Sequence, residues 1–501
     1  MTRHNPRLGH KVRTLRRRER LSQSELASRL GISASYLNLI ENNHRPLPSA
    51  LLLRLAEMFE VELHSFAADD ESRLTAALFE VLSDPLFEAE EVMASDVREL
   101  PSQNPAVARA LISLYGAYRG ANAAADALSA RLFEGERAGR VGLNHVSSEE
   151  VSDLIQRHNN HFPELELAAE RLWQEAKLEP NDLYSGLVRH LKKAHGVHVR
   201  IVPAGAPERL LRQYDPAERT LLLSELLPNR SRKMQLAYQI GLLTQADVLQ
   251  RLTDDPLLTS EPSNTLARVA LANYFAAAVL MPYEAFLAAA REVRYDVDVI
   301  GRRFGTSFEQ VTHRLTTLRR PKAEGIPFHM IRIDVAGNIS KRFSASGISI
   351  ARFSGACPRW NIFTAFATPG MIRIQLSRMP DGSSYFCIAR TVQADNHGYH
   401  SPPRVHAVGL GCSLGRAREL IYADGLNLDN LAAAVPVGVS CRLCERTHCE
   451  QRVFPPLREP IVIDENRRGV SIYAPVPRRD DEAAKAGASR RAAEAREREK
   501  A

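Results

Sequence analysis

Hydrophobic positions near the start of the chain recur every three or four residues, in runs too short for one long helix. Between residues 8 and 65 this spacing predicts four or five short helices, the first over residues 8–20. Ser22 is followed three residues later by Glu25, which is the pattern of a capping box, so a second helix is predicted to begin at Gln23. The chain therefore opens with a small all-helical module.

A tight turn joins the second and third predicted helices. Gly31 suits the left-handed residue that ends a helix, and Ser33 suits the N-cap of a third helix over residues 34–42. Two helices joined in this way form a helix-turn-helix. A later helix is predicted to close the core with the apolar side chains Leu51, Leu52, Leu55, Ala56 and Phe59.

The third helix of a helix-turn-helix enters the major groove of DNA, where its N-terminal half meets base edges. Short polar side chains at Ser35 and Asn38 fit this role and are expected to be exposed. Gln23 can donate to a phosphate, and Asn42 and Arg45 stand where the chain leaves the groove. The predicted DNA-contacting residues are Gln23, Ser33, Ser35, Tyr36, Asn38, Asn42 and Arg45.

Residues 21–61 resemble the XRE (Cro/C1-type) repressor domain along their full length. The sequence pieces S-Q-x-E-L-A, L-G-I-S, Y-L-N-x-I-E-N and R-P-L-P occur in the family order and spacing. The resemblance implies binding to two-fold operators, and therefore a homo-oligomer such as a dimer or tetramer.

Residues 67–145 are predicted to form a helical connector. Pro105 suits the first turn of a helix, and residues 106–132 form a long, Ala-rich amphipathic stretch. That stretch could be a dimerising helix, a connecting helix or part of a core. Residues 137–144 contain Gly and Arg and are typical of a linker.

Residues 146–322 combine short strands with helices, among them RSRKMQLAYQIGLL and SNTLARVALANYFAAAVLMPYEAF. From about residue 150 to 320 the chain resembles the ImmA/IrrE metallopeptidase domain. A zinc peptidase needs two His four residues apart and a Glu beside them. The corresponding positions hold Tyr238, Gln239, Leu242 and Leu271. We therefore expect no catalytic residues here and no enzyme activity, and interpret the site as a relict suited to sensing a small molecule.

Residues 323–435 alternate in the manner of strands, as in HMIRIDV, IRIQLS and SYFCIARTV, and residues 414–426 predict a helix ending at Gly425. This pattern predicts a small α+β effector-binding domain. The residues that bind the effector cannot be assigned from the pattern.

Three of the six cysteines fall within nine residues, as Cys441-x2-Cys444-x4-Cys449. Thiolates this close predict a metal or cluster site in a reducing compartment, either zinc or [4Fe–4S]. A fourth ligand is needed. Cys412 is the first candidate and Cys357 the second, whereas Cys387 lies in an apolar strand and is expected to be core.

The composition is that of a multidomain protein of the cytoplasm: 501 residues, 44% hydrophobic and 25% charged, with no run of eighteen apolar residues and no signal peptide at its start. The net charge is +7, and the first helix carries a basic patch that favours a polyanion. Its residues are Arg13, Arg16, Arg17, Arg18 and Arg20.

These features predict a multidomain α+β fold. It comprises an all-α helix-turn-helix (1–66), a helical connector (67–145), a degenerate IrrE-like α+β domain (146–322), an α+β ligand-binding domain (323–435), a cysteine-cluster segment (436–476) and a disordered tail (477–501).

An XRE domain, a degenerate IrrE-like domain, ACPRWN and a terminal CRLCERxxCxQRxFPP together resemble the short-chain acyl-CoA-responsive regulators of bacterial propionate and acetate metabolism. The resemblance covers residues 8 to about 475. It implies control by CoA or a short-chain acyl-CoA, an iron–sulfur cluster on the cysteines and oligomeric binding to double-stranded operator DNA. The alternative is an iron- or redox-sensing transcription factor without an acyl-CoA effector.

Overall fold

The computed structural model describes residues 9–19, 21–42, 45, 47–59, 69–82, 84–87, 92, 94–134, 144–203, 211–351, 356–393, 404–441, 444–446 and 449–454. The linker predicted at 137–144, except residue 144, and the tail predicted at 477–501 lie outside these residues.

The described chain is mostly helical in its first two thirds and mostly strand afterwards, which confirms a mixed helix and sheet fold. The helices are α1 (Gly9–Arg18), α2 (Gln23–Leu30), α3 (Ala34–Glu41), α4 (Ser49–Met58), α5 (Asp69–Val81), α6 (Ala94–Gln103), α7 (Pro105–Glu134), α8 (Asn144–Arg157), α9 (Pro163–Glu175), α10 (Leu183–His195), α11 (Asn229–Thr244), α12 (Ala246–Thr253), α13 (Glu261–Leu280), α14 (Tyr283–Glu292), α15 (Val297–Phe304), α16 (Phe308–Leu315) and α17 (Asn361–Thr364). The strands are β1 (His198–Val202), β2 (Arg212–Asp215), β3 (Thr220–Ser224), β4 (His329–Asp334), β5 (Ile339–Ser344), β6 (Arg373–Arg378), β7 (Ser384–Gln393), β8 (Val405–Ser413) and β9 (Val435–Pro436).

Helices α1 to α4 form the predicted helix-turn-helix around their own small core. The capping box of Ser22 and Glu25 is present, and Gly31 ends α2 with a φ of 69°, a left-handed conformation that suits glycine. Ser33 caps α3 as expected. The fully buried apolar side chains of this core are Val12, Leu26, Ala27, Leu30, Leu37, Ile40, Leu51 and Leu55. The side chain of Ala56, also expected here, lies outside the described part of the chain.

Helices α5 to α7 pack on one another in a second small core, and α7 begins at Pro105. The 30 residues of α7 confirm the long helix that the sequence predicts. Tyr115 of α7 donates a hydrogen bond of 2.6 Å to Asp84, which fixes the loop after α5.

The third core extends across both of the remaining regions. A three-stranded sheet of order β1-β3-β2 lies beside helices α9, α11 and α13, while a six-stranded sheet of order β5-β4-β8-β7-β6-β9 follows in the chain. Alternate residues of a strand point to opposite faces of its sheet. One face of the larger sheet, with Met330, Phe386, Ile388 and Leu410, packs on the helices, so the helical region and the sheet share one hydrophobic core.

The opposite face of the larger sheet has a separate, smaller core. Its strands contribute Ile331, Ile333, Tyr385, Ala389 and Ala407. The segment that covers this face includes Cys357, Trp360 and Ile362.

A buried ion pair ties the helices of the large core together. Arg314 of α16 donates to both carboxylate oxygens of Glu166 in α9, at 2.5 and 2.9 Å, and both side chains are almost fully buried. Arg314 also donates to the carbonyl of Met281, at the break between α13 and α14, and Tyr274 donates to Glu166. Burial alone would raise the pKa of Glu166, but the adjacent guanidinium outweighs it and holds that pKa below its usual value.

The helix predicted over residues 414–426 is wrong. The segment forms two short 3-10 turns, over Leu414–Glu419 and Ile421–Ala423, separated by an extended Leu420. The Ile421 amide donates to the carbonyl of Arg294, whose side chain in turn donates to the Leu420 carbonyl. Hydrogen bonds to a distant segment thus replace those of a continuous helix.

We predict that Glu166→Ala lowers the free energy of unfolding by about 3–5 kcal/mol, because it leaves a guanidinium buried without its counterion. Glu284→Ala is the control, since it removes a partly exposed partner of Arg320 and is expected to cost at most about 1 kcal/mol. Urea unfolding measures both, and equal losses would contradict the assigned weight of the buried pair.

Candidate nucleic-acid interface and cysteine cluster

One buried carboxylate holds the recognition helix α3 in place. Glu41, at its end, accepts from Arg16 of α1 at 2.7 and 2.9 Å and from Gln23 of α2 at 2.7 Å. Burial alone would raise the pKa of Glu41, but these two donors hold it below its usual value. The three helices are therefore fixed to one another by a charged group and not by apolar packing alone.

Polar side chains are exposed along α3 as predicted. Ser35, Asn38 and Asn42 are exposed, and so is Arg45 beyond the helix. Asn42 donates to the Asn38 side chain at 2.8 Å and accepts from Arg13. These side chains form a connected polar surface, which is the kind of surface that can meet base edges and phosphates.

Other predicted contact residues have roles inside the module. The Ser33 hydroxyl accepts from the amide of Tyr36, and the Tyr36 ring is half-buried against the core. Gln23 donates to Glu41 and, at 3.3 Å, to Asn38. Their direct contact with DNA stays a prediction.

The sequence analysis missed the role of Glu41 and assigned Arg16 only to a basic patch. Arg16 is mostly buried and its charge is matched by Glu41. A signal was present, because Glu41 follows Ile40 on the side of α3 that faces the core. The side chains of Arg17, Arg18 and Arg20 lie outside the described part of the chain.

An arginine lies against the positions where the resembling metallopeptidases carry their metal ligands. Tyr238 and Gln239 of α11 are buried, as is Leu271 of α13. Arg212 of β2 stacks over the Tyr238 ring, 4.5 Å from its centroid, and donates to the Gln239 amide oxygen at 2.5 Å. A fixed positive charge at this place disfavours a second cation.

The cysteine segment is anchored by one arginine. Arg452 donates to the carbonyls of Cys441, Cys444 and Arg446, each at 2.7 Å. Gly438 lies directly behind Cys444, since a Cβ atom at Gly438 would lie 2.9 Å from the Cys444 sulfur. The backbone around the cysteines is therefore closely fixed. His448 lies outside the described residues.

The structure brings Cys357, and not Cys412, to this segment. The Cys357 amide donates to the carbonyl of Val439 at 3.0 Å, and its thiol is near enough to those of Cys441 and Cys444 for their charges to interact. Cys449 interacts with Cys444 in the same way. Burial raises the pKa of the Cys357 thiol.

Cys412, the first candidate for the fourth ligand, lies elsewhere. It occupies β8 opposite Phe386 and is fully buried in the large core, where burial raises the pKa of its thiol. The sequence suggested a position before a helix, but Cys412 is in a strand whose apolar face packs on the helices. Cys387 is also in a strand, with its sulfur 3.5 Å from His329.

The donor chemistry of Cys357, Cys441, Cys444 and Cys449 fits a soft ion or an iron–sulfur cluster, which thiolates prefer. Within the described ranges, the model brings no three His, Cys, Asp or Glu side chains near enough together to hold an ion as they stand. Among the same residues, no single helix is long and apolar enough to cross a membrane.

Three family models match consecutive parts of the chain. A helix-turn-helix domain matches residues 7–67, the IrrE N-terminal-like domain matches 192–316, and the short-chain fatty acyl coenzyme A regulator C-terminal domain matches 317–473.

Curated relatives match over nearly the whole length. The HTH-type transcriptional regulator RamB of Mycobacterium tuberculosis is 40% identical, over 93% of this chain and 98% of the relative. PrpR of the same species is 38% identical, over 91% and 93%. The propionyl-CoA carboxylase regulator of Cereibacter sphaeroides is 38% identical, over 93% and 98%.

A solved structure of a Mycobacterium tuberculosis transcriptional regulator shares the fold over part of the chain. Its TM-score is 0.63 at 42% identity, and the alignment covers 66% of this chain and 99% of that one.

We predict that Asn38→Ala weakens operator binding by about 1–3 kcal/mol and relaxes sequence preference, because an exposed amide that reads a base is lost. Arg45→Ala should weaken binding to all sequences alike and flatten the salt dependence. Fluorescence anisotropy with operator and random DNA measures both. Unchanged affinity in both variants, at unchanged melting temperature, would show that α3 is not the reading helix.

Proposed function

This chain belongs to the family of HTH-type transcriptional regulators that includes RamB and PrpR, and from that premise we propose the signal that controls it. It is a DNA-binding regulator, and its proposed effector is CoA or a short-chain acyl-CoA. The observation that carries the proposal is the pairing of a complete helix-turn-helix with a C-terminal region that matches the acyl coenzyme A regulator model. Propionate or acetate metabolism is the proposed target.

The proposed division of labour follows the predicted domains 1–66, 67–145, 146–322, 323–435, 436–476 and 477–501. Effector binding in the C-terminal half and operator binding at α3 each change the affinity of the other. Because its partner is chromosomal DNA, the protein is proposed to act in the cytoplasm.

We propose that the IrrE-like region has lost catalysis and serves as a scaffold. Arg212 supports this, because its guanidinium is held by the Tyr238 ring and the Gln239 amide at the positions that would bind zinc. Purified protein that cleaved a partner protein, and stopped doing so with a chelator, would contradict this.

We propose that Cys357, Cys441, Cys444 and Cys449 hold an iron–sulfur cluster of the [4Fe–4S] type, with zinc as the alternative. When bound, such a cluster supplies a redox-sensitive crosslink between two distant parts of the chain. The proximity of Cys357 to Cys441 and Cys444 supports this set over one containing Cys412. The same cysteines favour the second candidate function, an iron or redox sensor without an acyl-CoA effector.

The proposed oligomer, a dimer or tetramer, has a suitable surface on α7. Val107 and Leu114 are 51% and 68% exposed, and with Ala110, Ala117 and Ala121 they form one exposed apolar stripe at heptad spacing. A second copy of this helix would cover the stripe. Sedimentation of the full chain tests this, and a monomer at micromolar concentration would contradict it.

We expect the purified protein to bind propionyl-CoA or acetyl-CoA and to change its operator affinity when it does. Isothermal titration calorimetry measures the first effect and anisotropy with labelled operator the second. Linkage requires the operator to change acyl-CoA affinity by the same factor. No heat with any acyl-CoA, together with a response to iron or oxidant, would favour the second candidate.

We expect anaerobically purified protein to show a broad visible absorption band that is lost in Cys357→Ser and in Cys444→Ser. Cys412→Ser is the matched control and should keep the band, because Cys412 lies in the large core. Loss of the band in Cys412→Ser and its retention in Cys357→Ser would reverse the assignment. Zinc content without colour would replace the cluster by zinc.

A further inference from the structure

A cavity lies on the outer face of the six-stranded sheet, away from the helices. Four neighbouring strands place one residue each in a row beneath it: His329, Gly411, Cys387 and Gln375. The next residue of β8 on this face is Gly409. Two glycines on one strand leave the middle of the sheet without side chains.

The space above the glycines is shaped by close contacts. A Cβ atom at Gly409 would lie 3.1 Å from Ile331 and 3.4 Å from Ile362. At Gly411 it would lie 2.5 Å from the His329 ring, which occupies the place of a side chain. Only glycine therefore permits both the cavity and the position of His329.

The walls of the cavity are mostly apolar and its polar groups are uncharged. Its lining includes Ile331, Ile348, Trp360, Ile362, Asn361, Gln375 and Ser377. His329 is bonded to Ser346 at 2.7 Å, and burial lowers the pKa of His329 to about 3, so the ring is neutral. Burial also raises the pKa of Cys387 to about 12, so its thiol is not a nucleophile at neutral pH.

The polar groups at the cavity are fixed in advance. Asn361 donates to the carbonyls of Arg373 and Cys387, and Ser377 donates to the Gln375 oxygen. The Gln375 nitrogen donates to Arg359 at 2.9 Å, which leaves its second hydrogen for a ligand. Such a site suits a small apolar group that carries one carbonyl.

We propose that this cavity receives the acyl chain and thioester carbonyl of the effector. The inference rests on the proposed function and adds the place where chain length is read. The cavity leaves about 20 Å³ for the centres of water-sized groups, which admits a chain of two or three carbons and resists a longer one. Neutral walls exclude a carboxylate on the chain, because a buried charge would lack a partner.

The cavity shares a wall with the cysteine segment. Trp360 lines it, and the Trp360 indole donates to the carbonyl of Gly438 at 3.0 Å, next to the sulfur of Cys444. Cys357 lies three residues before Trp360 and is bonded to Val439. An acyl chain in the cavity would therefore contact the ring that supports both parts of the proposed cluster.

The test compares affinities for free CoA, acetyl-CoA, propionyl-CoA and butyryl-CoA in the full-length protein by calorimetry. Ile362→Ala enlarges the cavity and should shift the butyryl-to-propionyl affinity ratio by about fourfold toward butyryl-CoA, one methylene group being worth about 0.8 kcal/mol. Gly409→Ala fills the cavity and should weaken propionyl-CoA more than acetyl-CoA. Neither variant should change the affinity for free CoA, which has no acyl chain.

Ile333→Ala is the matched control. It removes the same atoms from a fully buried position on the same face, outside the cavity lining, and should leave all ratios unchanged. If wild type binds propionyl-CoA but Ile362→Ala and Gly409→Ala keep the ratios of Ile333→Ala, the cavity assignment is wrong and the proposed effector stands. If wild type binds no acyl-CoA, both fail.

Discussion

The buried pair of Arg314 and Glu166 is the constraint on which the larger part of the molecule depends. It joins α9 to α16 and, through the Met281 carbonyl, fixes the bend between α13 and α14. A charge this deep is tolerated only with its counterion and its hydrogen bonds in place, so the helices have one relative arrangement that satisfies it. The six-stranded sheet packs on that arrangement through the shared core.

The helix-turn-helix repeats the device on a smaller scale. Glu41 bonds Arg16 and Gln23, so the helix that meets DNA is oriented by hydrogen bonds that specify geometry and not only by burial. In the IrrE-like region, Arg212 occupies the degenerate site with a cation that belongs to the chain itself. In each case an internal charged contact fixes a surface, and the adaptable polar side chains are left outside it.

The larger sheet separates support from sensing. One face carries the residues that pack on the helices, and the other carries two glycines, the cavity and Trp360 beside the cysteine segment. Because both faces belong to the same strands, a change at the cavity is in contact with the proposed cluster on one side and with the helical core on the other. This placement gives the acyl chain, if bound there, a direct physical connection to the rest of the regulator.

The sequence by itself determined the helix-turn-helix and its caps, because Ser22, Glu25, Gly31 and Ser33 act within a few residues of themselves. It also determined the spacing of the three late cysteines. Only the tertiary structure decided that Cys357 and not Cys412 joins them, since 84 residues separate Cys357 from Cys441 and strand pairing brings them together. The same holds for residues 414–426, for Glu41 and for the cavity, whose hydrogen bonds and walls come from distant segments. Local signals are written in neighbouring residues, whereas these features arise from contacts that form only when the cores are packed.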